Sequence, residues 1–399
     1  MGPSPEMQPK KLLFLVRDSR YFLSHRISLA LEGMNNGYEV AVGCSISSLL
    51  DRSKLSKFGI QVYRIPYVDD ALGSSSVPGS IFHTYKILQE FEPDIIHSIT
   101  IRSILISSFL NFFKRRPLLS LFAGLGTLFR SNISYAMELP RLVIFLIIRL
   151  LFSAPHNQLV FMNEEDLQLF VKKTKVEASL CHVIKGSGVN LQTYSYRERA
   201  FDRKGISVIM ASRLLKDKGV REFCEAALIL ATSFEDVKFV LAGDVDLHNP
   251  TSFNKDEILE LCNKCYVSCI GYQSDMQKVL DEADIYCLPS YHEGLSLGLL
   301  EAAASGLAIV ATDIAGSRAV ITHNVEGLLV PAHDSISLAN GIKILLENPE
   351  KAKLFAKNAR TRVVAEFSLP KVVGQYFKLY SEMLVRTDGM MIGRNVQQR

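Results

Sequence analysis

The chain lacks tryptophan and any apolar run long enough to cross a bilayer. The nearest approach, 139–155, is interrupted by Arg141 and Arg149, whereas a membrane helix needs about 20 apolar residues. No secretory signal opens the sequence, because its first apolar run, 12–16, is as short as a strand. The seven cysteines are an odd number, which predicts reduced thiols in a cytoplasmic protein.

The sequence also lacks the glycine patterns of two nucleotide-binding folds. It has no P-loop, and Gly124-Leu-Gly126 continues to Phe129 without completing G-x-G-x-x-G, which disfavours a dinucleotide-dependent oxidoreductase. Without a helix-turn-helix or RNA-binding signature, no nucleic acid partner is expected. The first 187 residues are mildly basic, which suits an anionic membrane surface or a phosphorylated substrate better than DNA.

Two short patterns are incomplete as metal sites. Asp244-Val-Asp246 resembles a metal-binding D-x-D motif, but three residues are a weak signal. Cys262, Cys265 and Cys269 have no second cysteine pair or nearby histidine pair to complete a zinc site. We therefore expect core thiols, no metal and no other cofactor.

Short apolar strands alternate with helical segments along the whole chain. This rhythm predicts an α/β fold of two Rossmann-like domains with a ligand in the cleft between them. Strands are predicted at 12–16, 39–43, 61–65, 95–97, 118–122, 159–162 and 182–184, then at 206–211, 238–242, 267–270, 285–288, 308–311 and 328–330. The predicted organisation is a tail 1–10, a first domain 11–189, a linker 190–204, a second domain 205–368, and a segment 369–399 whose helix could cross back to the first domain.

Two strand ends of the second half carry candidate ligand-binding residues. Arg213 and Lys218 follow the strand 206–211, and a guanidinium fork with an ammonium group suits a diphosphate, although a solvated basic turn would look the same. Gly271 and Tyr272 end another strand, where glycine would let a planar base approach the backbone. A simple turn is the alternative there.

A loop and a helix after the strand 285–288 carry two carboxylates. Glu293 lies in the loop and Glu301 in the first turns of the helix, so both could border one ligand; a carboxylate accepts hydrogen bonds from ribose hydroxyls. Ser296 is a suitable N-cap. The backbone N–H groups that would face an anion belong to Gly294, Leu295, Ser296 and Leu297. The alternative is a surface glutamate followed by one on an amphipathic helix.

The second half resembles a known enzyme family. Glu293 and Glu301, in E-G-L-S-L-G-L-L-E, are similar to the E-x7-E signature of family 4 retaining glycosyltransferases, and A-S-R-L-L-K-D-K-G resembles that family's diphosphate-binding turn. The resemblance implies a GT-B fold with a UDP-sugar on the C-terminal domain. It also implies diphosphate contacts from Arg213 and Lys218, donor-sugar contacts from Glu293, ribose contacts from Glu301, and no metal.

The first half resembles a narrower group. F-L-S-H-R, F-A-G-L-G, F-M-N-E-E-D and G-S-G-V-N are similar to segments of bacterial capsule, O-antigen and protein-glycosylation transferases, which act on undecaprenyl-diphosphate-linked sugars. The resemblance implies a lipid-linked saccharide acceptor bound by the first domain. It places His25, Gly124, Gly126 and Asn163 on the acceptor side. Two departures are the first loop, V-R-D-S-R in place of a Gly-Gly pair, and Asn190 in place of aspartate.

These first-half residues also have structural interpretations. Asn163 could cap a helix, the two glycines could form a tight turn, and His25 could lie on a helix face. His97 ends a predicted parallel strand, where ligands bind, so it is a catalytic candidate. A core histidine is the alternative.

The first half also contains a candidate membrane surface. Residues 110–119 set aromatic side chains beside Lys114, Arg115 and Arg116, and residues 139–152 are strongly apolar. We expect a peripheral protein on the inner face of the cytoplasmic membrane; a buried core helix is the alternative for 139–152.

The sequence thus predicts a retaining glycosyltransferase of surface polysaccharide or glycan assembly, moving an N-acetylhexosamine from a UDP-sugar to a lipid-diphosphate-linked saccharide. A sugar-nucleotide epimerase or hydrolase of the same fold is the alternative, and a non-catalytic sugar-nucleotide-binding protein is a third possibility.

Overall fold

A computed structural model describes residues 9–68, 75–125, 129, 138–201, 204–246, 249 and 251–397; for 138–141 and 387–397 only the backbone is described. The chain divides into two compact units. Unit 1 comprises Met1–Ser187 with Val373–Arg399, and unit 2 comprises Gly188–Val372. The segment 190–204, predicted as a linker, therefore belongs to unit 2.

Unit 1 alternates strands and helices around one parallel sheet. Its elements are β1 (Lys11–Asp18), α1 (Ser19–His25), α2 (Ile27–Asn35), β2 (Glu39–Ser45), α3 (Leu49–Lys57), β3 (Gln61–Arg64), α4 (Val77–Glu90), β4 (Ile95–Ile99), α5 (Ile101–Lys114), β5 (Leu118–Phe122), α6 (Glu138–Phe152), β6 (Asn157–Phe161), α7 (Glu164–Thr174) and β7 (Cys181–Val183). The strand order is β3-β2-β1-β4-β5-β6-β7. The order reverses between β1 and β4, and ligands bind at the carboxyl edge of such a point.

Local sequence explains these elements. Residues 12–16 of β1 are fully buried, because a central parallel strand is covered by helices on both faces. The helices begin at side-chain caps: Asp18 accepts from the N–H of Tyr21, and Ser48 accepts from that of Asp51. Such a cap satisfies one of the free N–H groups in the first turn.

Unit 2 repeats the arrangement with six strands. Its elements are β8 (Ser207–Ala211), α8 (Val220–Leu230), β9 (Lys238–Ala242), α9 (Lys255–Lys264), β10 (Val267–Gly271), α10 (Met276–Asp281), β11 (Ile285–Leu288), α11 (Leu297–Ala304), β12 (Ala308–Thr312), α12 (Ala315–Arg318), β13 (Leu328–Val330), α13 (Ser335–Glu347) and α14 (Pro349–Glu366). Helix α15 (Leu369–Gln397) follows, and its residues from Val373 onward belong to unit 1. The sheet is parallel in the order β10-β9-β8-β11-β12-β13.

Each predicted strand is present, so the predicted α/β fold with two Rossmann-like sheets is confirmed. Among the described helices, none combines the length and apolar character needed to cross a membrane.

Candidate functional site

Two predicted site residues from separate segments of unit 2 form an ion pair. Lys218 Nζ lies 2.6 Å from Glu293 Oε1, and only 14% and 17% of the two side chains are exposed. Ser290 Oγ donates to the same oxygen at 3.0 Å. Lys218 follows β8 and Glu293 follows β11, which are neighbours in the sheet. The pair therefore lies beyond the carboxyl ends of adjacent strands, where open α/β sheets bind ligands.

The two loops carrying this pair are fastened to each other. Gly219 has φ +76°, and a Cβ there would lie 2.2 Å from the Pro289 carbonyl oxygen, so only glycine allows this approach. The backbone N–H of Tyr291 donates to the Asp217 carbonyl at 2.9 Å. The Tyr291 hydroxyl donates to Glu222 of α8 at 2.6 Å. These contacts fix the distance between the lysine turn and the glutamate loop.

Helix α11 begins directly after the glutamate loop. Ser296 is its N-cap, accepting from the N–H of Leu299 at 3.3 Å, as predicted. Residues 294–297 thus connect Glu293 to the positive end of the helix dipole, where N–H groups without intrahelical partners favour an anion. Gly298 lies against Tyr286, whose hydroxyl oxygen would be 2.5 Å from a Cβ at this position.

Glu301 lies on α11 beside a tyrosine that sequence reasoning missed. Burial raises the pKa of Glu301 to about 7, and a hydrogen bond from Tyr194 opposes the shift. Tyr194 belongs to the segment predicted as a linker, and Arg360 holds its carbonyl oxygen at 2.9 Å. The polar composition of this segment gives no sign of that contact. Asn190, noted for replacing aspartate, accepts from the N–H of Gln192 at 2.9 Å, a bond that aspartate would make equally well.

Arg213 and the D-x-D pattern are linked. Arg213 Nη1 lies 3.1 Å from Asp246 Oδ2, and 53% of the arginine side chain is exposed. An exposed pair of this kind is weak, so a diphosphate could compete for the guanidinium. Within the described ranges, no group of three or more His, Cys, Asp or Glu residues could hold a metal ion. Cys262 and Cys265 are buried in the core of unit 2.

The end of β10 is open. Gly271 has φ +68°, and apart from its own atoms and its two chain neighbours no heavy atom lies within 4 Å of the position its Cβ would take. Tyr272 is 70% exposed. A planar group could therefore approach the backbone here, and base binding at this position stays a prediction.

Comparison with known proteins decides the family. The protein-family model described as glycosyl transferases group 1 matches residues 195–362 of this chain. The N,N'-diacetylbacillosaminyl-diphospho-undecaprenol alpha-1,3-N-acetylgalactosaminyltransferase of Campylobacter jejuni is 30% identical over 344 residues, which are 83% of this chain and 88% of that protein. The chain belongs to the group 1 glycosyltransferases. The UDP-Gal:alpha-D-GlcNAc-diphosphoundecaprenol alpha-1,3-galactosyltransferase of Escherichia coli is 23% identical, over 80% of this chain and 86% of its own length.

Solved structures agree on the fold of this glycosyltransferase. Anabaena HepE in complex with UDP gives a TM-score of 0.73 at 19% identity, covering 93% of this chain and 100% of HepE. Sucrose-phosphate synthase from Thermosynechococcus elongatus gives 0.76 at 17% identity, covering 94% and 100%. The predicted GT-B fold is thereby confirmed. The relatives named here are transferases, which leaves the epimerase or hydrolase alternative unsupported.

In unit 1 of the glycosyltransferase, the surroundings of His97 favour the structural interpretation over a catalytic role. The ring is fully buried, and its Nδ1 lies 2.6 Å from the Tyr380 hydroxyl. Burial and the neighbouring Arg26 guanidinium hold the pKa of His97 well below its usual range, so the ring is neutral near pH 7. Its full burial and its bond to Tyr380 are what a core histidine would show.

The residues predicted for the acceptor side belong to unit 1. Asn163 is buried and caps α7, accepting from the N–H of Asp166 at 2.8 Å, which favours its structural interpretation. Gly124 has φ +149°, a conformation that glycine adopts readily; Gly126 lies outside the described residues. His25 stacks on Tyr21 with ring centroids 4.5 Å apart. Nothing in these contacts assigns a substrate-binding role.

The candidate membrane surface is partly exposed and partly core. Lys114 and Arg115 at the end of α5 are exposed, and Arg116 donates to the Pro93 carbonyl at 2.9 Å. On α6, Phe145, Ile148 and Phe152 are buried, but the opposite face is apolar and open to solvent. Its side chains are 47–62% exposed at Leu142, Val143, Leu146, Ile147 and Leu150. One face of the helix therefore packs in the core, and the other face forms an exposed apolar surface.

Proposed function

We propose that this glycosyltransferase moves an N-acetylhexosamine from a UDP-sugar to a saccharide linked to a lipid diphosphate, with retention of the donor's configuration. The observation that carries the proposal is the Lys218–Glu293 pair at the start of α11, with Glu301 eight positions further along the chain. Relatives named for transfer to undecaprenyl-diphosphate sugars support the acceptor class, and the UDP complex of HepE supports the donor class.

In the proposed reaction, separate residues would bind the diphosphate, the donor sugar and the ribose. The bond between the anomeric carbon and the diphosphate oxygen breaks while an acceptor hydroxyl attacks from the same face, which would retain the configuration. The hydroxyl proton would pass to the departing UDP. Lys218, Arg213 and the first N–H groups of α11 would stabilise the charge that builds on the departing diphosphate, which is commonly the largest contribution to catalysis. Glu293 would contact the donor sugar and Glu301 the ribose hydroxyls.

An acceptor-dependence assay tests this function. The enzyme is incubated with labelled UDP-N-acetylgalactosamine or UDP-N-acetylglucosamine, with and without a diphospholipid-linked sugar. We expect label in the lipid fraction only when the acceptor is present. Conversion of the UDP-sugar without acceptor would instead establish an epimerase or hydrolase.

We further propose that transfer needs no metal ion, because Arg213 and Lys218 supply the positive charge. Activity should persist within about twofold in excess EDTA, measured by the same assay. Complete loss in chelator that added Mg²⁺ or Mn²⁺ restores would overturn this and return attention to Asp244 and Asp246.

Donor binding is expected to weaken as the pH falls through 7. Burial raises the pKa of Glu301 to about 7, so the carboxylate that would accept ribose hydrogen bonds is largely protonated at pH 6. The affinity for a UDP-sugar should fall by roughly threefold to tenfold between pH 8 and pH 6, measured by calorimetry. A UDP-sugar is used because its diphosphate does not titrate in this range. Glu301→Gln should bind weakly at every pH, and a slope that survives in this variant would rule out Glu301 as its source.

We also propose that the enzyme docks on the inner face of the cytoplasmic membrane through unit 1. The exposed cations Lys114 and Arg115 adjoin exposed aromatics, and each cation near an anionic surface adds about 1 kcal/mol. Wild type should float with anionic vesicles, whereas the variant with Lys114, Arg115 and Arg116 changed to glutamate should stay at the bottom of the gradient. Equal flotation of the two proteins, or none by wild type, would contradict the docking surface.

A further inference from the structure

A cavity of about 270 Å³ opens between α4 and α5 in unit 1. Leu88 and Leu110 line it together with three aromatic side chains, Tyr85, Phe109 and Phe113. For comparison, an apolar cavity of about 150 Å³ is large enough to stay dry and bind benzene. Its size and lining suit a segment of hydrocarbon chain.

The walls of this cavity are unusually exposed for aromatic residues. Tyr85 is 51% exposed, Phe109 55% and Phe113 81%, whereas Leu88 is buried. Contiguous exposed apolar surface on a soluble domain marks a place where a ligand or membrane binds. The exposed rings would lose contact with water if an apolar chain filled the cavity.

Positive charge borders the cavity. Lys114 and Arg116 line it. Arg116 donates to the Pro93 carbonyl through Nη1 alone, and among the described residues no carboxylate pairs with Lys114. We propose that the cavity holds one acyl chain of an anionic phospholipid, whose phosphate lies against Lys114 and Arg116.

This site differs from the place of the acceptor. Arg116 lies two residues before the start of β5, and Pro93 two residues before β4, so the cavity lies towards the amino edge of the sheet. Ligands of parallel sheets bind at the opposite, carboxyl edge. The proposed occupant is therefore a lipid of the membrane on which unit 1 docks, and not the acceptor. The inference rests on the proposed membrane docking and adds a specific lipid site to it.

A binding experiment with a short-chain lipid tests the site. Dioctanoyl-phosphatidylglycerol, kept below its micelle concentration, is titrated into the full chain in a calorimeter. We expect saturable binding of one lipid. Phe113→Ala and Lys114→Gln should each weaken it at least fivefold, and because both residues are exposed, both variants should fold. Phe82→Ala is the matched control, since Phe82 is an exposed aromatic of α4 that does not line the cavity; its affinity should equal that of wild type.

Three results would overturn the proposal: no saturable binding, equal affinity for glycerol phosphate without chains, or equal affinity for dioctanoyl-phosphatidylcholine. The first result would show that there is no lipid site. The second would show that the acyl chain, and so the cavity, contributes nothing to binding. The third would show that the cations do not recognise the negative charge of the lipid. The titration needs neither donor nor acceptor, so an enzyme that binds the lipid but transfers no sugar would disprove only the proposed function.

Discussion

Replacing Lys218 with alanine is expected to lower the transfer rate by roughly 100-fold to 1,000-fold, because the ammonium group stabilises charge on the departing diphosphate. Arg213→Ala should cause a loss in the same range. The ion pair of Lys218 with Glu293 keeps some solvent contact, so the fold should survive. Initial rates at saturating donor measure the effect, and thermal unfolding confirms that the variants are folded.

Lys216→Ala is the matched control for this prediction. Lys216 is an exposed lysine in the same short turn as Lys218, but no ion pair to Glu293 is formed by its side chain. Its removal should leave the rate within about twofold of wild type, as is usual for an exposed side chain away from the site. If Lys216→Ala and Lys218→Ala lose activity equally, the effect comes from the total positive charge of the turn and not from the position of Lys218. A double Arg213/Lys218 variant with near wild-type turnover would mean that the donor site is elsewhere.

The two glutamates should respond differently to amidation. Glu293→Gln removes the charge held by Lys218 and Ser290, and we expect the turnover number to fall by on the order of 100-fold while donor affinity changes little. Glu301→Gln should instead weaken donor binding by about 1–3 kcal/mol, the worth of hydrogen bonds between the carboxylate and the ribose.

Calorimetric donor titration and single-turnover transfer separate the two effects. The titration reports binding without chemistry, and the single-turnover rate reports chemistry on the bound donor. Equal losses of donor affinity in both variants would contradict this division of roles. Tyr194→Phe adds a further check, since removing its hydrogen bond to Glu301, which lowers the pKa of that carboxyl, should move the pH dependence of donor binding to higher pH.

Much of the fold follows from local sequence. The strands of unit 2 were predictable because a buried parallel strand is a short, continuous apolar run that ends at a turn, as in β11 and β12. The N-cap at Ser296 was predictable because a serine hydroxyl satisfies a free N–H group in the first turn. Helix α6 was harder, since 139–152 is apolar on both sides and sequence alone does not show which side is covered.

The sequence by itself determined the two sheets, the order of their strands along the chain, and the spacing of Glu293 and Glu301 on one loop and helix. These features depend on periodicity and capping within a few residues. Only the tertiary structure decided that Lys218 meets Glu293, that Tyr194 of the supposed linker bonds Glu301, and that His97 is buried against Tyr380, 283 positions away. Such contacts join segments far apart in sequence. Whether a polar side chain meets a partner, a ligand or water therefore depends on packing that no local pattern encodes.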